Sequence, residues 1–477
     1  MHLSAVQLDR AVGAVLASAA GDALGSQYEF GPPLTDDEPV AFGRGALGHG
    51  LGEWTDDTSM AMPILQVLAE GRRIDDAGAL ADVVRGWLRW MPSSPDVGAQ
   101  TRAVLSGLSE GVTEEGARAS ARRHHEATGR SAGNGSLMRT GPVALGYLED
   151  GAEDALAEAA SRVAQLTHWE DDNVDACVLW SFAIRHAILT GRLDPAAGLA
   201  WVPEDRRGRW AAILDEATSQ GAHPRDFREK NGWVVKALQA ALAAVAHADG
   251  LVDALERACR GGNDTDTVAA IAGSLAGAVH GSSAVPAQWQ VVLHGWPSLR
   301  ATDLVRLAAL AARRGKPDAE GWPTAPEMPT HPEPDTLVRH PHDDGVWLGS
   351  LRAAGRLGED VPAVDAVVSL CRVGTEQIPS GMTNVQVWLI DRPDRNPNLD
   401  EVLLGAAQAV ADLRAAGKRV FMHCLEARSR TATVAALYGV RHRGVPLPDA
   451  WADVERVLPD FAPQPFLVEA VGRVSKG

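Results

Sequence analysis

The sequence is poor in cysteine, in phenylalanine and tyrosine, and in long apolar runs. Its four cysteines are far apart and form no C-x-x-C pair, so neither a zinc site nor a disulfide framework is indicated. No apolar run reaches the ~20 residues that a membrane-spanning helix requires. We therefore expect a cytoplasmic protein with no membrane contact.

Basic residues are also scarce relative to acidic ones. The 477 residues include 45 Lys and Arg against 62 Asp and Glu, which gives a formal net charge of −17. Nucleic acids are bound mainly through Lys and Arg, so this balance argues against general nucleic-acid binding. Acidic residues gathered in one place could instead hold a divalent cation. The hydrophobic fraction of 45%, mostly Ala, Leu and Val, favours helical cores.

The pattern along the chain predicts two domains. Residues 1–314 show apolar residues at three-and-four spacing, which indicates successive helices. Prolines are frequent in residues 315–342, which predicts an extended linker. In residues 343–477, short apolar runs alternate with helical stretches, which predicts an α/β domain. The strands are expected at 346–351, 364–371, 385–390 and 419–424.

Two short acidic segments each precede an apolar helical run. They are Thr55-Asp56-Asp57-Thr58 and Asp264-Thr265-Asp266-Thr267. Such residues can simply cap a helix and complement its dipole. Clustered carboxylates repel one another, however, and oxygen ligands suit Mg²⁺, Mn²⁺ or Ca²⁺. If the two helix starts face each other, their side chains suffice for two metal ions.

These segments belong to a series of motifs that resembles the ADP-ribosylglycohydrolase family. In order, the motifs are Gly21-Asp22-Ala23-Leu24-Gly25 with Glu29, Trp54–Thr58, Gly133–Arg139, Thr167-His168 and Asp264–Thr267. The resemblance implies an all-α orthogonal helical bundle in which two Mg²⁺ ions, with Mn²⁺ as the alternative, support removal of ADP-ribose from an acceptor.

The resemblance also implies roles for individual residues. Glu29 would be the catalytic acid/base, and its alternative role is that of a buried ion-pair partner. His168 and the loop Gly133, Asn134, Gly135 and Ser136 would bind the ADP-ribose. The expected metal ligands are Thr55, Asp56, Asp57, Asp264, Asp266 and Thr267.

The resemblance leaves the acceptor open: arginine, serine, a nucleobase or a small molecule. The substrate would be an ADP-ribosylated protein or small molecule. Two other interpretations stay open for this domain. It could be an ADP-ribose-binding regulatory protein, or a hydrolase of a related ribosyl metabolite.

A second motif lies in the C-terminal domain. His423-Cys424 and Arg430 fit the pattern C-x5-R between an apolar strand and a helix, where backbone N–H groups can surround an anion. A thiolate there can attack phosphorus, and Arg430 can hold a phosphate with two hydrogen bonds. The segment resembles the phosphate-binding loop of dual-specificity protein phosphatases, which implies a phosphorylated substrate and Asp391 as general acid, with Asp394 as the alternative.

One residue departs from the phosphatase pattern. Ala427 stands where these phosphatases usually have glycine, which permits backbone conformations that alanine resists. The domain is therefore expected to be either an active cysteine-dependent phosphatase or a phosphate-binding pseudophosphatase.

Overall fold

The computed structural model describes residues 3–330, 335–358 and 363–475. It separates into two units. The first comprises Met1–Val285 and Val292–Lys316, and the second comprises Pro286–Val291 and Pro317–Gly477. The first unit is helical and the second contains a sheet, as the sequence predicts. In the described ranges, no helix has both the length and the apolar character needed to cross a bilayer.

The first unit is built from α-helices joined by loops and short 3₁₀ turns. A small antiparallel ribbon of β1 (His294–Gly295) and β2 (Leu299–Arg300) precedes its last helix. The helices of this unit, with α12 at its boundary, are α1 (Ala5–Gly25), α2 (Asp56–Ala69), α3 (Ala77–Trp90), α4 (Ala99–Leu105), α5 (Glu114–Thr128), α6 (Glu153–Gln165), α7 (Asp171–Thr190), α8 (Glu204–Thr218), α9 (Val234–Ala246), α10 (Leu251–Cys259), α11 (Thr265–His280), α12 (Trp289–Val292) and α13 (Ala301–Ala312).

Helices α1 and α11 pack with their backbones in contact along much of their length. A Cβ built on Gly13 would lie 2.4 Å from the carbonyl oxygen of Gly277, and one on Gly21 would lie 2.2 Å from that of Ala269. Any side chain at these positions would separate the helices, so glycine is required for the close approach. This packing brings the C-terminal turn of α1 next to Asp266, at the start of α11. A Cβ on Gly25 would lie 2.6 Å from the Cα of Asp266.

The second unit has a five-stranded sheet in the order β3-β4-β7-β5-β6. Strands β3 and β4 are antiparallel, and the other neighbouring pairs are parallel. Buried aliphatic residues of the strands and of helices α15, α16 and α18 form its core. The elements are β3 (Leu337–His340), β4 (Asp343–Ser350), α14 (Leu351–Ala354), β5 (Ala366–Ser369), β6 (Thr383–Gln386), α15 (Leu399–Ala415), β7 (Val420–Cys424), α16 (Arg430–Arg443), α17 (Leu447–Val457) and α18 (Pro465–Val474).

The predicted linker 315–342 is the main correction to the sequence analysis. Its residues 331–334 lie outside the described ranges, but residues 317–330 and 335–342 belong to the second unit. Trp322 is buried and meets Trp388 edge-on at 6.2 Å, and the backbone N–H of Met328 donates to the side chain of Gln377 at 3.1 Å. Leu337–His340 forms strand β3. Proline prevents a helix here but does not prevent an extended segment from packing through its apolar side chains.

Candidate active sites

The N termini of α2 and α11 meet at a buried cluster of carboxylates. Thr55 caps α2, and its Oγ1 lies 2.8 Å from Oδ1 of Asp22, 2.9 Å from Oδ2 of Asp57 and 3.5 Å from Oδ2 of Asp266. One hydroxyl has one proton to donate, so it can satisfy only one of these three oxygens at a time. The two predicted acidic segments therefore meet. Three carboxylate oxygens surround the Thr55 hydroxyl, which has a single proton to donate.

Asp22 is a member of this cluster to which the sequence analysis gave no role. Its carboxylate is fully buried and accepts hydrogen bonds from the backbone N–H groups of Thr55 and Thr58, both at 2.9 Å. It therefore ties the end of α1 to the start of α2. Carboxylate oxygens of Asp22, Asp57 and Asp266 lie within 4.8 Å of one another. The sequence motif that contains Asp22 was visible, but the hydrogen bonds from Thr55 and Thr58 to Asp22 depend on the packing of α1.

The protonation of these carboxyl groups reflects burial and crowding. The pKa values of Asp56, Asp57 and Asp266 are raised well above the ordinary value, first by burial and then by neighbouring carboxylates. In addition, Oδ1 of Asp57 is buried and has no hydrogen-bond partner among the described residues. Buried charged oxygens without partners are costly, and bound cations are one way to satisfy them.

Glu29 and Asp96 form a second acidic group with Asp266. Oxygens of the three carboxylates lie within 4.8 Å of one another, and both Glu29 and Asp96 are half-buried. Burial, followed by the charges of Asp96, Asp264 and Asp22, raises the pKa of Glu29 to about 8. These acidic neighbours disfavour an ion-pair role for Glu29. Asp96 was missed because it lies in a loop without a recognisable motif.

The loop Gly133–Ser136 lies against the acidic cluster. Nδ2 of Asn134 donates to Oδ2 of Asp264 at 2.8 Å, which joins the loop to the N-cap residue of α11. Nδ2 of Asn173 donates to the carbonyl of Gly133 and to Oγ of Ser136, both at 2.7 Å. The loop is therefore held at both ends by amide side chains.

Thr267 lies in the first turn of α11, and its backbone N–H donates to Oδ1 of Asp266 at 2.8 Å. Asp56 and Asp264 are also near the cluster, since each contributes to the raised pKa values of its members. The six predicted ligand residues are thus gathered at the two helix starts. Neither Asp56 nor Asp264 belongs to the two groups of oxygens that lie within 4.8 Å.

His168 is buried beneath the same loop. A Cβ on Gly135 would lie 3.3 Å from its Nε2, so glycine allows the ring and the loop backbone to pack closely. Arg139, which can only donate, bonds Oγ1 of Thr167 at 2.7 Å, and that hydroxyl lies 2.7 Å from Nδ1 of His168. The Thr167 hydroxyl accepts from Arg139 and lies within hydrogen-bond distance of Nδ1, so it connects Arg139 to the His168 ring. Burial, followed by Arg139, lowers the pKa of His168 well below its usual value, so the ring is neutral.

The C-x5-R segment of the second unit forms the predicted strand–loop–helix. Cys424 ends β7 and Arg430 begins α16. Ala427 has a φ of 63°, in the left-handed region that alanine disfavours. The glycine-type conformation is therefore kept although the residue is alanine, and the loop stores the corresponding strain.

Arg430 and Asp391 both lie at this loop. Nη1 of Arg430 donates to the carbonyls of Leu370 and Leu389, at 2.8 and 3.1 Å, while its Nε is buried without a partner among the described residues. Oδ1 of Asp391 accepts from Oγ of Ser429, a loop residue, at 2.8 Å. The arginine is thus anchored by one nitrogen and keeps another donor unused.

A second thiol lies near this site and was not singled out from the sequence. Sγ of Cys371, just after β5, lies 3.9 Å from Nδ1 of His423. Burial raises the pKa of Cys371 to about 12; Arg430 opposes this shift and Cys424 adds to it. Cys371 is therefore a thiol at neutral pH and not a competing nucleophile.

The helical unit gathers several carboxyl groups beside the loop Gly133–Ser136. Carboxyl groups that can exchange protons are the groups that hydrolyse glycosidic bonds. The helical unit is a glycosyl hydrolase. The chain belongs to the ADP-ribosylglycohydrolase family, whose sequence model matches residues 3–320.

Two of the following relatives support the same family, and the third is a phosphatase. ADP-ribosylarginine hydrolase Tri1 of Pseudomonas putida (strain GB-1) is 34% identical over 288 residues, which cover 59% of this chain and 73% of that protein. ADP-ribosyl-[dinitrogen reductase] glycohydrolase of Rhodospirillum rubrum is 28% identical over 299 residues, 59% of this chain and 89% of that protein. Human dual specificity phosphatase 28 is 32% identical over 140 residues, 28% of this chain and 74% of that protein.

Proposed function

We propose that the first unit is a divalent-metal-dependent ADP-ribosylhydrolase that acts on ADP-ribosylated arginine. The observation that carries the proposal is the meeting of two acidic helix starts, where three carboxylates surround the single hydroxyl of Thr55. The buried, unpartnered oxygen of Asp57 fits a cation, and the all-oxygen donor set fits Mg²⁺ or Mn²⁺. The residues that would hold two ions are Thr55, Asp56, Asp57, Asp264, Asp266 and Thr267.

The reaction hydrolyses the bond between C1″ of the ribose and the acceptor nitrogen. When bound, the ions supply positive charge that orients the ribose hydroxyls and makes a water more acidic. The oxygen of water bonds to C1″, the C1″–N bond breaks, and a proton passes to the leaving nitrogen. Glu29 would move that proton. The carboxyl groups of Glu29 and Asp96 are close together, which favours protonation of one of the two and so keeps a proton available for transfer.

The loop at Gly133–Ser136 would hold the ADP-ribose. Its two glycines let the loop backbone pack closely on the ring of His168, and Asn134 connects the loop directly to Asp264. The ring of His168 lies against Gly133 and Gly135 of the loop and would support it. A ligand seated on this loop would therefore lie next to the acidic cluster.

Arginine is proposed as the acceptor because the most similar relatives reported above include an ADP-ribosylarginine hydrolase. Two other candidates remain to be separated from this one by experiment. A binding-only regulator would retain ADP-ribose affinity without turnover. A hydrolase of a related metabolite would leave ADP-ribosylated peptides intact.

The decisive experiment is mass spectrometry of the products formed from ADP-ribosyl-arginine, ADP-ribosyl-serine and small ribosyl compounds, each with Mg²⁺ and with chelator. We expect ADP-ribose release from the arginine conjugate, loss of release in chelator, and loss of release in Asp266→Asn. The exposed Asp37→Asn is the matched control and should retain full activity. Turnover that survives in chelator would refute the metal dependence.

For the second unit we propose a cysteine-dependent phosphatase. The carrying observation is the unused, buried Nε of Arg430 at a loop that begins at Cys424. The thiolate of Cys424 would attack phosphorus while Asp391 protonates the leaving oxygen; water would then release phosphate from the phosphocysteine. The strained Ala427 supports the competing interpretation, a phosphate-binding pseudophosphatase.

Aryl phosphate hydrolysis separates these two interpretations. An active phosphatase should release phosphate from p-nitrophenyl phosphate in the presence of chelator, and Cys424→Ser should eliminate the release. Intact-protein mass spectrometry after acid quench should detect the phosphocysteine. Phosphate binding that requires Arg430, without any phosphocysteine, would identify a pseudophosphatase.

A further inference from the structure

The segment 318–328, which the sequence analysis expected to be a linker, packs beside the residues that hold Arg430. Nη1 of Arg430 donates to the carbonyls of Leu370 and Leu389, at 2.8 and 3.1 Å. With Nη1 held in this way, the edge formed by Nε and Nη2 is the one left to bind two oxygens of a phosphate side by side. The direction of this edge therefore depends on where the two carbonyls lie.

The sheet holds these two carbonyls to different degrees. Leu370 directly follows β5, and its backbone N–H donates to the carbonyl of His423 in β7 at 2.8 Å. Leu389 lies three residues beyond the end of β6, and its backbone N–H donates to a near neighbour in the chain, the carbonyl of Val387, at 2.9 Å. The sheet therefore fixes the first carbonyl, whereas the position of the second depends more on the packing around it.

The indole ring of Trp322 contacts the chain next to both carbonyls. It meets the ring of Trp388, which precedes Leu389, edge-on with the ring centroids 6.2 Å apart. The guanidinium of Arg372, two residues after Leu370, lies over the same indole, 4.5 Å from its centroid. Trp322 is 4% exposed, so almost all of its surface is in contact with protein. Edge-to-face ring pairs and cation–π contacts are both directional, so the indole constrains the two chain segments relative to each other.

Asp318 holds the indole in place. Oδ1 of Asp318 accepts from the backbone N–H of Trp322 at 3.0 Å, and the backbone N–H of Asp318 donates to the carbonyl of Trp322 at 2.8 Å. Oδ2 of the same carboxylate pairs with Nη1 of Arg372. Asp318 therefore closes the turn that presents the indole and ties this turn to the segment after β5.

The segment is also joined to the second unit by its backbone. The N–H of Thr375 donates to the carbonyl of Ala325 at 2.9 Å, and the N–H of Glu376 donates to that of Pro326 at 3.1 Å. A Cβ built on Gly374 would lie 2.2 Å from the carbonyl oxygen of Pro326, so the two backbones are in contact. These contacts fix the segment beyond the turn as well, and a flexible tether would not make them.

We propose that Trp322 is a positioning residue for Arg430, and that segment 318–328 is part of the phosphate site of the second unit. This inference rests on the proposed phosphatase function. By packing against both chain segments, the indole keeps the two carbonyls at the spacing at which both accept from Nη1. Without the indole, the backbone around Leu389 moves, and the guanidinium loses the alignment that two parallel hydrogen bonds to an oxyanion require.

The test compares two alkylating reagents that differ mainly in charge. Iodoacetate and iodoacetamide both react with a thiolate, whose sulfur bonds to carbon as iodide leaves. The carboxylate of iodoacetate has two oxygens that can bind Arg430 as a phosphate would, whereas iodoacetamide is neutral. The ratio of the two alkylation rates at Cys424, each divided by the rate with free cysteine, therefore reports how well Arg430 binds an anion. Mass spectrometry of peptides from the full chain measures the rates at Cys424 separately from those at the other cysteines.

Trp322→Ala should lower this ratio by about tenfold, because one charged hydrogen bond to the anion is lost, and should leave alkylation by iodoacetamide unchanged. Trp322→Phe, which keeps an aromatic ring at this position, should restore the ratio to within about threefold of the wild type. Trp347→Ala is the matched control, since Trp347 lies in β4 of the same unit, is half-buried and has Arg339 over its ring at 5.0 Å. Arg430→Lys, which keeps the charge without the planar fork, gives the ratio expected once bidentate binding is lost.

The outcomes separate the positioning role from the phosphatase proposal. An unchanged ratio in Trp322→Ala overturns the positioning role, and so does an equal loss of rate with both reagents, because a general disturbance of the loop slows both. A wild-type ratio equal to that of Arg430→Lys refutes the anion site itself and with it the proposed phosphatase. Should Trp322→Ala fail to fold, Asp318→Asn replaces it. This change removes the ion pair with Arg372 and should lower the ratio by about threefold, and an unchanged ratio in Asp318→Asn would equally overturn the proposal.

Discussion

Nδ2 of Asn134 donates a 2.8 Å hydrogen bond to Oδ2 of Asp264. This contact spans 130 residues of sequence and connects the loop Gly133–Ser136 to the acidic cluster. The hydrogen bond lowers the pKa of Asp264, although burial, the larger effect, raises it above the ordinary value. A carboxylate that is oriented by an amide is better placed to hold a cation, so loop and metal site are expected to depend on each other.

The first prediction follows from that contact. Asn134→Ala should raise KM for the ADP-ribosylated substrate and weaken Mg²⁺ activation, each by about tenfold, because ligand loop and carboxylate lose their connection. Steady-state kinetics at varied Mg²⁺ measures both effects. An effect on KM alone would mean that Asp264 keeps its orientation without Asn134.

The second prediction concerns repulsion within the cluster. The pKa of Asp266 is raised in the folded protein, so its charged form destabilises the fold at pH values above its unfolded pKa. Asp266→Asn should therefore increase the free energy of unfolding in chelator at pH 7 by about 1 kcal/mol or more. Denaturant unfolding of the variant and of Asp37→Asn provides the comparison.

Added Mg²⁺ should reverse that order. Ligand binding to the folded state stabilises the wild type, whereas Asp266→Asn should respond weakly because it lacks a ligand oxygen. A melting temperature that rises equally in both proteins would argue against Asp266 as a ligand.

The third prediction uses the strained loop of the second unit. Ala427 has a φ of 63°, which glycine adopts without penalty. Ala427→Gly should stabilise the unit by about 1 kcal/mol, less the small contribution of the buried methyl group. It should also increase aryl phosphatase activity if the strain distorts the loop. Thermal unfolding and phosphate release are the two measurements; a lower melting temperature would contradict the strain argument.

The fourth prediction is a pH dependence of stability in the second unit. Burial alone would raise the pKa of Asp343, but hydrogen bonds from Arg414, Tyr438, Gly345 and Arg443 outweigh it and lower the pKa well below the usual value. A carboxylate whose pKa is lowered by folding stabilises the fold at pH values above its unfolded pKa of about 3.9. This stabilisation is lost as the pH falls from that value through the lower pKa of the folded state.

Asp343→Asn should therefore lower the free energy of unfolding at pH 7 by about 3 kcal/mol, since two arginines lose their buried partner. The difference between variant and wild type should shrink below pH 4. Asp344→Asn, next in the chain and almost fully exposed, is the control. A difference that stays constant down to pH 2 would assign the loss to packing instead of charge.

Much of the architecture could be predicted from local patterns. Three-and-four spacing of apolar residues predicted successive helices in residues 1–314, where the structure has helices such as Val234–Ala246. Short apolar runs predicted three of the strands closely. The run at 385–390 was displaced, because the strand itself is Thr383–Gln386. Strand β3 was missed, since proline-rich flanking sequence suggested a linker and its partner β4 could not be inferred locally.

The sequence by itself determined the chemistry available to this protein. It supplied acidic helix starts, a small-residue loop and a cysteine–arginine motif, because capping, spacing and residue type are local properties. Only the tertiary structure decided which groups meet. Close packing of α1 on α11 brings the end of α1 to Asp266, and a loop without a motif brings Asp96 to Glu29. Such meetings depend on how buried surfaces fit together, and no local pattern encodes that fit.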